Sequence, residues 1–249
     1  QRNVLGRLTN VGLRGMTLAS KFLLVLFLAK FLEPAALGLY GLVVASVGYA
    51  LYLVGLDFYT YTTREIIKRA SGDWGDIVKS QVALSAILYV IFVPLLCLLF
   101  YYRILPVGLM GWFFILLVLE HFAQELNRVL VALSAQLVAS VVLFLRSGIW
   151  AIVCVVVMFF DADRQSLQFV LLCWTVGGLS ACAVSLVYLA RLKSRGWSKA
   201  MDWHWIKSGV LIAVPFLVST LATRGIFTLD RYWVEHLGGL EVLGVYVLF

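Results

Sequence analysis

Apolar runs of about 20 residues recur along the whole chain, and this feature limits the possible folds more than any other. A helix of that length crosses the roughly 30 Å hydrocarbon core of a bilayer. Hydrophobic residues make up 63% of the 249 residues and charged residues 13%, about half the charged share of a soluble domain. A signal peptide or a single anchor would give one such run. The chain is therefore predicted to be an all-α polytopic membrane protein.

Seven complete spans are predicted, because runs of this length are not the roughly ten-residue strands of a membrane barrel. They cover Leu13–Phe31, Leu37–Phe58, Gln81–Tyr101, Val107–Leu126, Gln136–Phe160, Leu167–Leu189 and Ser208–Val234. An eighth run begins near Leu243. Because the chain starts at Gln1 and its last residue, Phe249, lies inside an apolar run, we expect it to be part of a longer protein.

Lysine and arginine are concentrated in the N-terminal arm and in alternate loops. The richer segments carry Arg2, Arg7, Arg64, Lys68, Arg69, Lys79, Arg128, Arg191, Lys193, Arg195, Lys199 and Lys207. The other loops carry Lys30, Arg103 and Arg164. The positive-inside rule then predicts a cytoplasmic N terminus and cytoplasmic even-numbered loops. The formal net charge of +7 is explained by this topology, so no nucleic-acid partner is expected.

A short motif occurs twice and suggests an internal repeat. The sequence FLEPAALGLYGLV, residues 31–43, contains Leu37-Gly38-x-Tyr40, and HLGGLEVLGVYVLF, residues 236–249, contains Leu243-Gly244-x-Tyr246. The copies are 206 residues apart, with an even number of spans between them. This spacing predicts two parallel repeats related by an axis along the membrane normal. We expect residues 1–205 to form a six-helix bundle and residues 206–249 to begin a second bundle.

Basic residues lie inside two of the predicted spans. Arg14 and Lys21 are seven residues apart in the first span and therefore share one helix face; Arg224 and Arg231 have the same spacing in the seventh. A charge in hydrocarbon costs several kcal/mol unless it faces a partner or a wet cavity. These four residues predict a cationic cavity for an anionic substrate. The alternative is that Arg14 and Arg231 extend to the membrane surfaces, leaving only Lys21 and Arg224 deep.

The fourth span contains EHFAQELNR, residues 120–128, and the fifth contains Arg146. Glu120 and Arg146 are expected to pair across antiparallel helices. The pair is interpreted either as mutual neutralisation or as the coupling element of a transporter, and the sequence leaves both open. Glu125 and Arg128 are one turn apart and predict a structural ion pair. His121 has the chemistry for proton handling, although a hydrogen-bonded packing role is the more ordinary one.

Catalytic and metal-binding patterns are scarce. Asp161 and Asp163 form a D-x-D pattern, which can bind a divalent metal, but the topology places them outside, away from cytoplasmic sugar nucleotides. No phosphate-binding Gly-rich loop, serine nucleophile elbow or H-E-x-x-H motif is present. The four cysteines lie in apolar runs without C-x-x-C spacing, which is typical of core residues. We therefore expect no enzymatic activity, no catalytic residue, no cofactor and no metal.

Several segments together resemble bacterial polysaccharide exporters of the O-antigen flippase type. They are the basic first helix, FLEPAALGLYGL, the LVGLDF end of the second span, TTREIIKRASGD and PFLVSTLATRGIFTLDRYWVEHLGGLEVLGVY. These exporters belong to the MATE-like superfamily of multidrug, oligosaccharidyl-lipid and polysaccharide exporters. The resemblance implies two pseudo-symmetric bundles of twelve or more helices in total, a cationic cavity and alternating access. By motif position, Arg14, Lys21, Arg224 and Arg231 would line that cavity.

The resemblance also implies a substrate and a location. The substrate would be an undecaprenyl-diphosphate-linked oligosaccharide, flipped from the inner to the outer leaflet of the bacterial plasma membrane. Membrane lipids and the polysaccharide polymerase machinery would be partners. Two alternatives remain open: a MATE-like antiporter for drugs or other small molecules, which would favour carboxylates in its cavity, and an integral-membrane enzyme of glycan assembly, which would favour large outer loops. A third alternative is a membrane scaffold that transports nothing, in which no charged residues deep in the spans would face each other.

Overall fold

The computed structural model describes residues 2–69, 72–192 and 194–248, with the side chains of residues 6 and 8 onward in those ranges. Arg2, Arg7 and Lys193, three of the residues that predict the orientation, lie outside the described side chains. Every regular element in the described ranges is helical. The α-helices are α1 Arg2–Phe31, α2 Pro34–Gly55, α3 Tyr59–Lys68, α4 Gly75–Tyr101, α5 Met110–Ala132, α6 Gln136–Phe144, α7 Trp150–Phe160, α8 Leu167–Arg191 and α9 Trp203–Tyr246.

Seven helical segments of this part of the chain are long and apolar enough to cross a membrane. They are Leu8–Phe31, Pro34–Gly55, Gly75–Tyr101, Val107–Ala132, Gln136–Phe160, Leu167–Arg191 and Trp203–Tyr246. The protein is thus an all-α multi-pass membrane protein, as the apolar runs predict. Each segment includes one predicted span almost entirely, and the differences lie at the ends.

The predicted cytoplasmic loops contain more helix than the apolar runs indicate. Helix α4 begins at Gly75 and α9 at Trp203, five or six residues before the predicted spans, because a helix continues wherever its backbone bonds can form. The second loop also contains α3, whose Thr62 and Ile66 are buried. Its polar face carries an ion pair between Lys68 and Glu65 at 2.9 Å. This amphipathic helix packs against α4, α5 and α9.

The fifth span is not one continuous α-helix. A π-helical turn, Leu145–Ile149, separates α6 from α7. Such wide turns are rare and occur frequently at functional sites. Within it, Gly148 brings the backbone close to α1, since a Cβ atom at this glycine would lie 3.4 Å from Thr17 Cα. Trp150 Nε1 donates a 2.8 Å hydrogen bond to the carbonyl oxygen of Arg146. The turn thus positions Arg146 beside α1.

Helix α2 lies at the centre of the described bundle and contacts α9, α5 and α4. Helix α8 packs between α5 and the span that contains the π turn. Two adjacent glycines permit this, because a Cβ atom on Gly177 would overlap Trp150 and one on Gly178 would lie 3.2 Å from Leu119 Cβ. Small residues at membrane helix interfaces let helices approach closely. The main core surrounds α2 and includes its fully buried Val43.

Helix α9 is broken near its end. Gly239 has φ 78° and ψ 176°, a conformation that only glycine adopts without strain. The segment after this break, residues 240–248, lies against the start of α2. We call their contact the glycine seam; it consists of Pro34, Gly38 and Gly41 on one side and Leu240, Gly244 and Val247 on the other.

The contacts of the glycine seam are reciprocal. A Cβ atom on Gly38 would overlap the carbonyl oxygen of Leu240, and one on Gly244 would overlap that of Pro34. Residues 34 and 240 are 206 apart, as are 38 and 244. Gly38 of the first copy thus contacts Leu240 of the second, and Gly244 of the second contacts Pro34 of the first. Such an exchange of equivalent contacts is the pattern of a two-fold axis. Gly41 and Val247, also 206 apart, meet each other. The division at residue 205 stays a prediction, and this local symmetry is compatible with it.

Adding one methyl group inside the seam should destabilise the protein. We expect Gly38→Ala to lower the free energy of unfolding by about 1–3 kcal/mol, the usual cost of overpacking. Gly48, on the same helix, has open space where its Cβ atom would be. Gly48→Ala is therefore the matched control and should be neutral or stabilising by up to about 1 kcal/mol. Denaturant unfolding in detergent measures both. Equal effects of the two variants would contradict the close backbone contact.

Candidate functional site

Two adjoining pockets form one hollow between α1, α2, α5, the π turn and α9. They have volumes of about 240 and 420 Å³ and share Lys21, Val44, Arg146 and Arg231 in their linings. We call their union the central cavity. Towards the start of α2 it is lined by Gly41. Further along the same helix it is lined by residues up to Tyr52, where α2 approaches the predicted cytoplasmic side.

The lining of the central cavity is strongly cationic. It includes the four basic residues Lys21, Arg146, Arg224 and Arg231, and its carboxylate is Glu120. The formal charge of the lining is therefore about +3. All five residues belong to helical segments that are apolar enough to cross a membrane. An excess of positive charge among membrane-spanning helices attracts anions.

Glu120 is bonded on both carboxylate oxygens. Arg146 Nε donates to its Oε2 at 2.7 Å, and Trp174 Nε1 donates to its Oε1 at 2.6 Å. The side chains of Glu120 and Arg146 are only 8% and 16% exposed. These bonds connect α5, the π turn and α8. The predicted partners therefore lie together in the structure, and Trp174 is a third member that the sequence did not indicate.

Arg146 uses only one of its three guanidinium nitrogens in the bond to Glu120. Its Nε is used by Glu120, while its two terminal nitrogens have no hydrogen-bond partner among residues 2–69, 72–192 and 194–248. The side chain lines both pockets. A guanidinium with two free amino groups can bind carboxylate or phosphate oxygens in a fork. Arg146 is therefore both a partner of Glu120 and a cation of the cavity, a role the sequence analysis did not assign to it.

The four cations predicted for the cavity differ in their exposure and in their contacts. Arg231 Nη1 donates a 3.1 Å hydrogen bond to the carbonyl oxygen of Gly41. Arg224 is exposed, with its guanidinium 5.6 Å from the centre of the Tyr52 ring. Lys21 is exposed in the cavity and has no hydrogen-bond or ion-pair partner in the described part of the chain. Arg14 is exposed two helical turns away and lies outside the lining of both pockets.

The cations of α1 and α9 do not occupy equivalent places in the proposed repeat. A shift of 206 residues relates Lys21 to Phe227 and Arg231 to Val25. The two helices thus present their charges about one turn apart rather than in matched pairs. The cations of both helices lie in the same part of the proposed repeat, but not at equivalent positions.

An aromatic wall borders the cations near Glu120. Trp150 and Trp174 stack with ring centres 6.0 Å apart and planes at 9°, and Tyr40 meets Trp174 edge-on at 6.5 Å. All three rings line the central cavity. Tryptophan usually lies at the membrane surfaces. The placement of Trp150 and Trp174 in the middle regions of their spans is the sequence signal that indicates this wall.

Glu125, Arg128 and His121 of α5 lie outside the lining of the central cavity. Glu125 accepts hydrogen bonds from Arg128 and Gln81, so the predicted structural ion pair forms. His121 is 3% exposed and lies against the Tyr89 ring at 5.5 Å. Both of its ring nitrogens lack a hydrogen-bond partner among the described residues. It lines a groove between α4 and α5 that is otherwise largely apolar.

The D-x-D pattern forms a local turn. Asp161 accepts a hydrogen bond from the backbone N–H of Asp163 at 3.1 Å and pairs with Arg164 at 3.6 Å. The described part of the chain contains no group of three or more His, Cys, Asp or Glu residues placed to hold a metal ion. Asp161 therefore caps a short helical turn here.

No family model matches the chain, and neither a curated protein nor a solved structure is detectably similar to it. The resemblance to polysaccharide exporters thus depends on the sequence segments alone. The geometry of the central cavity provides a separate argument.

Removing the Glu120 charge should destabilise the fold far more than removing an exposed one. Glu120→Gln leaves Arg146 buried without its counter-ion, which typically costs about 3–5 kcal/mol. Asp161→Asn breaks the exposed pair with Arg164, which typically costs less than about 1 kcal/mol. Denaturant unfolding in detergent compares the two. A loss of stability for Glu120→Gln no larger than for Asp161→Asn would contradict the structural importance of this network.

Proposed function

We propose that the protein is a MATE-like transporter that flips undecaprenyl-diphosphate-linked oligosaccharide across the bacterial plasma membrane by alternating access. The observation that carries the proposal is the lining of the central cavity, which contains four basic residues and one carboxylate that is already bonded. Charge inside a membrane is costly and normally serves a substrate path. An anionic substrate would compensate this charge.

A diphosphate fits the free donors of the cavity. Arg146 offers two unbonded terminal amino groups, and Lys21 offers an ammonium group without a protein partner among the described residues. Arginine binds phosphate oxygens in a fork, and lysine binds them as a point charge. Both residues line both pockets. The diphosphate would therefore bind where the pockets join.

The part of the cavity towards Arg224 has the groups that a sugar chain needs. Its lining includes Tyr49, Tyr52, Gln124 and Thr228, which provide aromatic faces together with hydroxyl and amide groups. A few well-placed polar groups beside aromatic rings orient a bound molecule. The oligosaccharide would occupy this part, while the polyprenyl chain stays in lipid.

The transport cycle would follow from two bundles that rock around a fixed site. The substrate would enter from the cytoplasmic leaflet, with the N terminus of the protein on the cytoplasmic side, and leave to the outer leaflet. An ion gradient or the membrane potential would drive the cycle. Because both Glu120 oxygens are bonded, the structure favours a supporting role for this residue over coupling. Polysaccharide polymerase machinery would receive the product, and no cofactor or chemical step is required.

The two alternatives fit the cavity less well. A drug antiporter for cationic compounds would need available carboxylates, whereas Glu120 is neutralised by Arg146 at 2.7 Å. A glycan-assembly enzyme would need an available catalytic base. The carboxylate of the central cavity, Glu120, already has both oxygens bonded.

Loss of two cavity cations should abolish most transport. We expect Lys21→Ala with Arg224→Ala to slow the flipping of lipid-linked oligosaccharide in proteoliposomes by at least about tenfold, because each bond to a charged group contributes about 1.5–3 kcal/mol. The affinity for inorganic pyrophosphate, measured by calorimetry, should fall in parallel.

Lys30→Ala is the matched control, since Lys30 lies on the same helix as Lys21 but outside the lining of both pockets. It should leave flipping and pyrophosphate affinity near the original values. A double variant that flips the lipid at the normal rate would refute the proposed cationic substrate site.

A further inference from the structure

We propose that Arg231 couples anion binding in the central cavity to the opening of the glycine seam. The proposal rests on the anion-binding function proposed above and adds the step that links the bound anion to a conformational change. In this step the anion takes Arg231 away from the carbonyl oxygen of Gly41, which Arg231 holds in the closed state.

The glycine seam closes one end of the central cavity. Gly41 and Val247 line the pocket that contains Glu120. They also meet in the seam, where a Cβ atom on Gly41 would lie 3.5 Å from Val247 Cβ. Gly38 and Gly244 continue the contact one turn further from the cavity, where a Cβ atom on Gly38 would lie 3.2 Å from the Gly244 nitrogen. Separation of the seam would therefore open the cavity at this end.

Arg231 and its neighbour Asp230 hold the two sides of the seam. Arg231 Nη1 bonds the Gly41 carbonyl oxygen of α2 at 3.1 Å. Asp230 Oδ2 accepts a hydrogen bond from Tyr246 at 2.7 Å, which ties the segment after the Gly239 break to the part of α9 before it. These two adjacent residues thus connect that earlier part of α9 to both surfaces that meet in the seam.

An anion would compete for the guanidinium of Arg231. This side chain lines both pockets together with Lys21 and Arg146, so an anion bound between the three cations would offer Arg231 a charged acceptor. A bond from the guanidinium to an anion adds the attraction between opposite charges, which the bond to the neutral Gly41 carbonyl lacks. A ligand shifts a conformational equilibrium only through a difference in affinity between the states. The open state would provide that difference, because Arg231 would then bond the anion in place of the Gly41 carbonyl oxygen.

A simpler role for Arg231 would be to satisfy the Gly41 carbonyl permanently. The two roles differ in one measurable respect. If the bond between Arg231 and Gly41 is permanent, the fraction of closed seam does not depend on anions. If an anion replaces Gly41 as the partner of Arg231, the fraction of closed seam falls when the anion is bound.

A disulfide probe across the seam distinguishes them. The substitutions Gly41→Cys and Val247→Cys place Cβ atoms about 3.5 Å apart, within the range for a disulfide. The rate at which copper phenanthroline forms the 41–247 disulfide reports how often the seam is closed. Mass spectrometry of the linked peptides separates this bond from the four native cysteines. The probe anion is inorganic pyrophosphate, and its binding to the same variant is measured separately by calorimetry.

We expect saturating pyrophosphate to slow formation of the 41–247 disulfide by about tenfold, which corresponds to loss of one bond to a charged group. Adding Arg231→Gln should slow the disulfide without pyrophosphate and remove the response to it. Tyr246→Phe is the second variant, because it loosens the seam without changing a cavity cation. It should slow the disulfide yet keep the pyrophosphate response.

The outcomes separate this inference from the proposed function. If pyrophosphate binds and the disulfide forms at an unchanged rate, the coupling role of Arg231 is wrong while the anion site stands. The same holds if Arg231→Gln keeps the full response. If calorimetry detects no pyrophosphate binding, the anion site itself is wrong and the inference fails with it.

Discussion

The buried carboxylate of Glu120 determines how three of the described helical segments meet beside the cavity. Glu120 on α5 joins the Arg146 guanidinium in the π turn and the Trp174 indole on α8. An uncompensated charge at this depth would cost several kcal/mol, so the three helices must keep the rotation at which these bonds form. The same bonds use the Nε of Arg146, a residue of the cavity lining, and leave its terminal nitrogens without a hydrogen-bond partner among the described residues. Stability and anion attraction therefore come from one arrangement.

The number of spans could be predicted from the sequence because membrane insertion depends on length and hydropathy, which are local properties. The pairing of Glu120 with Arg146 followed from depth and antiparallel order. The role of Trp174 and the aromatic wall could not be predicted, because they depend on how α8 is rotated about its axis. The π turn at Leu145–Ile149 shifts the facing of every later residue in that span, and periodicity alone does not reveal it.

The repeated Leu-Gly-x-Tyr motif is a case in which the sequence indicated a relation but not its form. Its two copies suggested equivalent helices, and the structure places them in direct contact, with Gly38 against Gly244. Equivalent residues touch only near a symmetry axis. The cations do not follow the same symmetry, since Arg231 corresponds to Val25. The backbone contact thus follows the 206-residue spacing of the motif, whereas the charged side chains of the cavity do not.

The absence of side chains from the centre of the glycine seam has a mechanical consequence. Attraction between packed atoms weakens steeply within about 1 Å of added separation, and Gly38 and Gly244 have no long groups that would bridge a widening gap. A displacement of about 0.5–1 Å would already forfeit a quarter to a half of this attraction. The centre of the seam should therefore separate and re-form with less side-chain rearrangement than an interface of long, interdigitated residues.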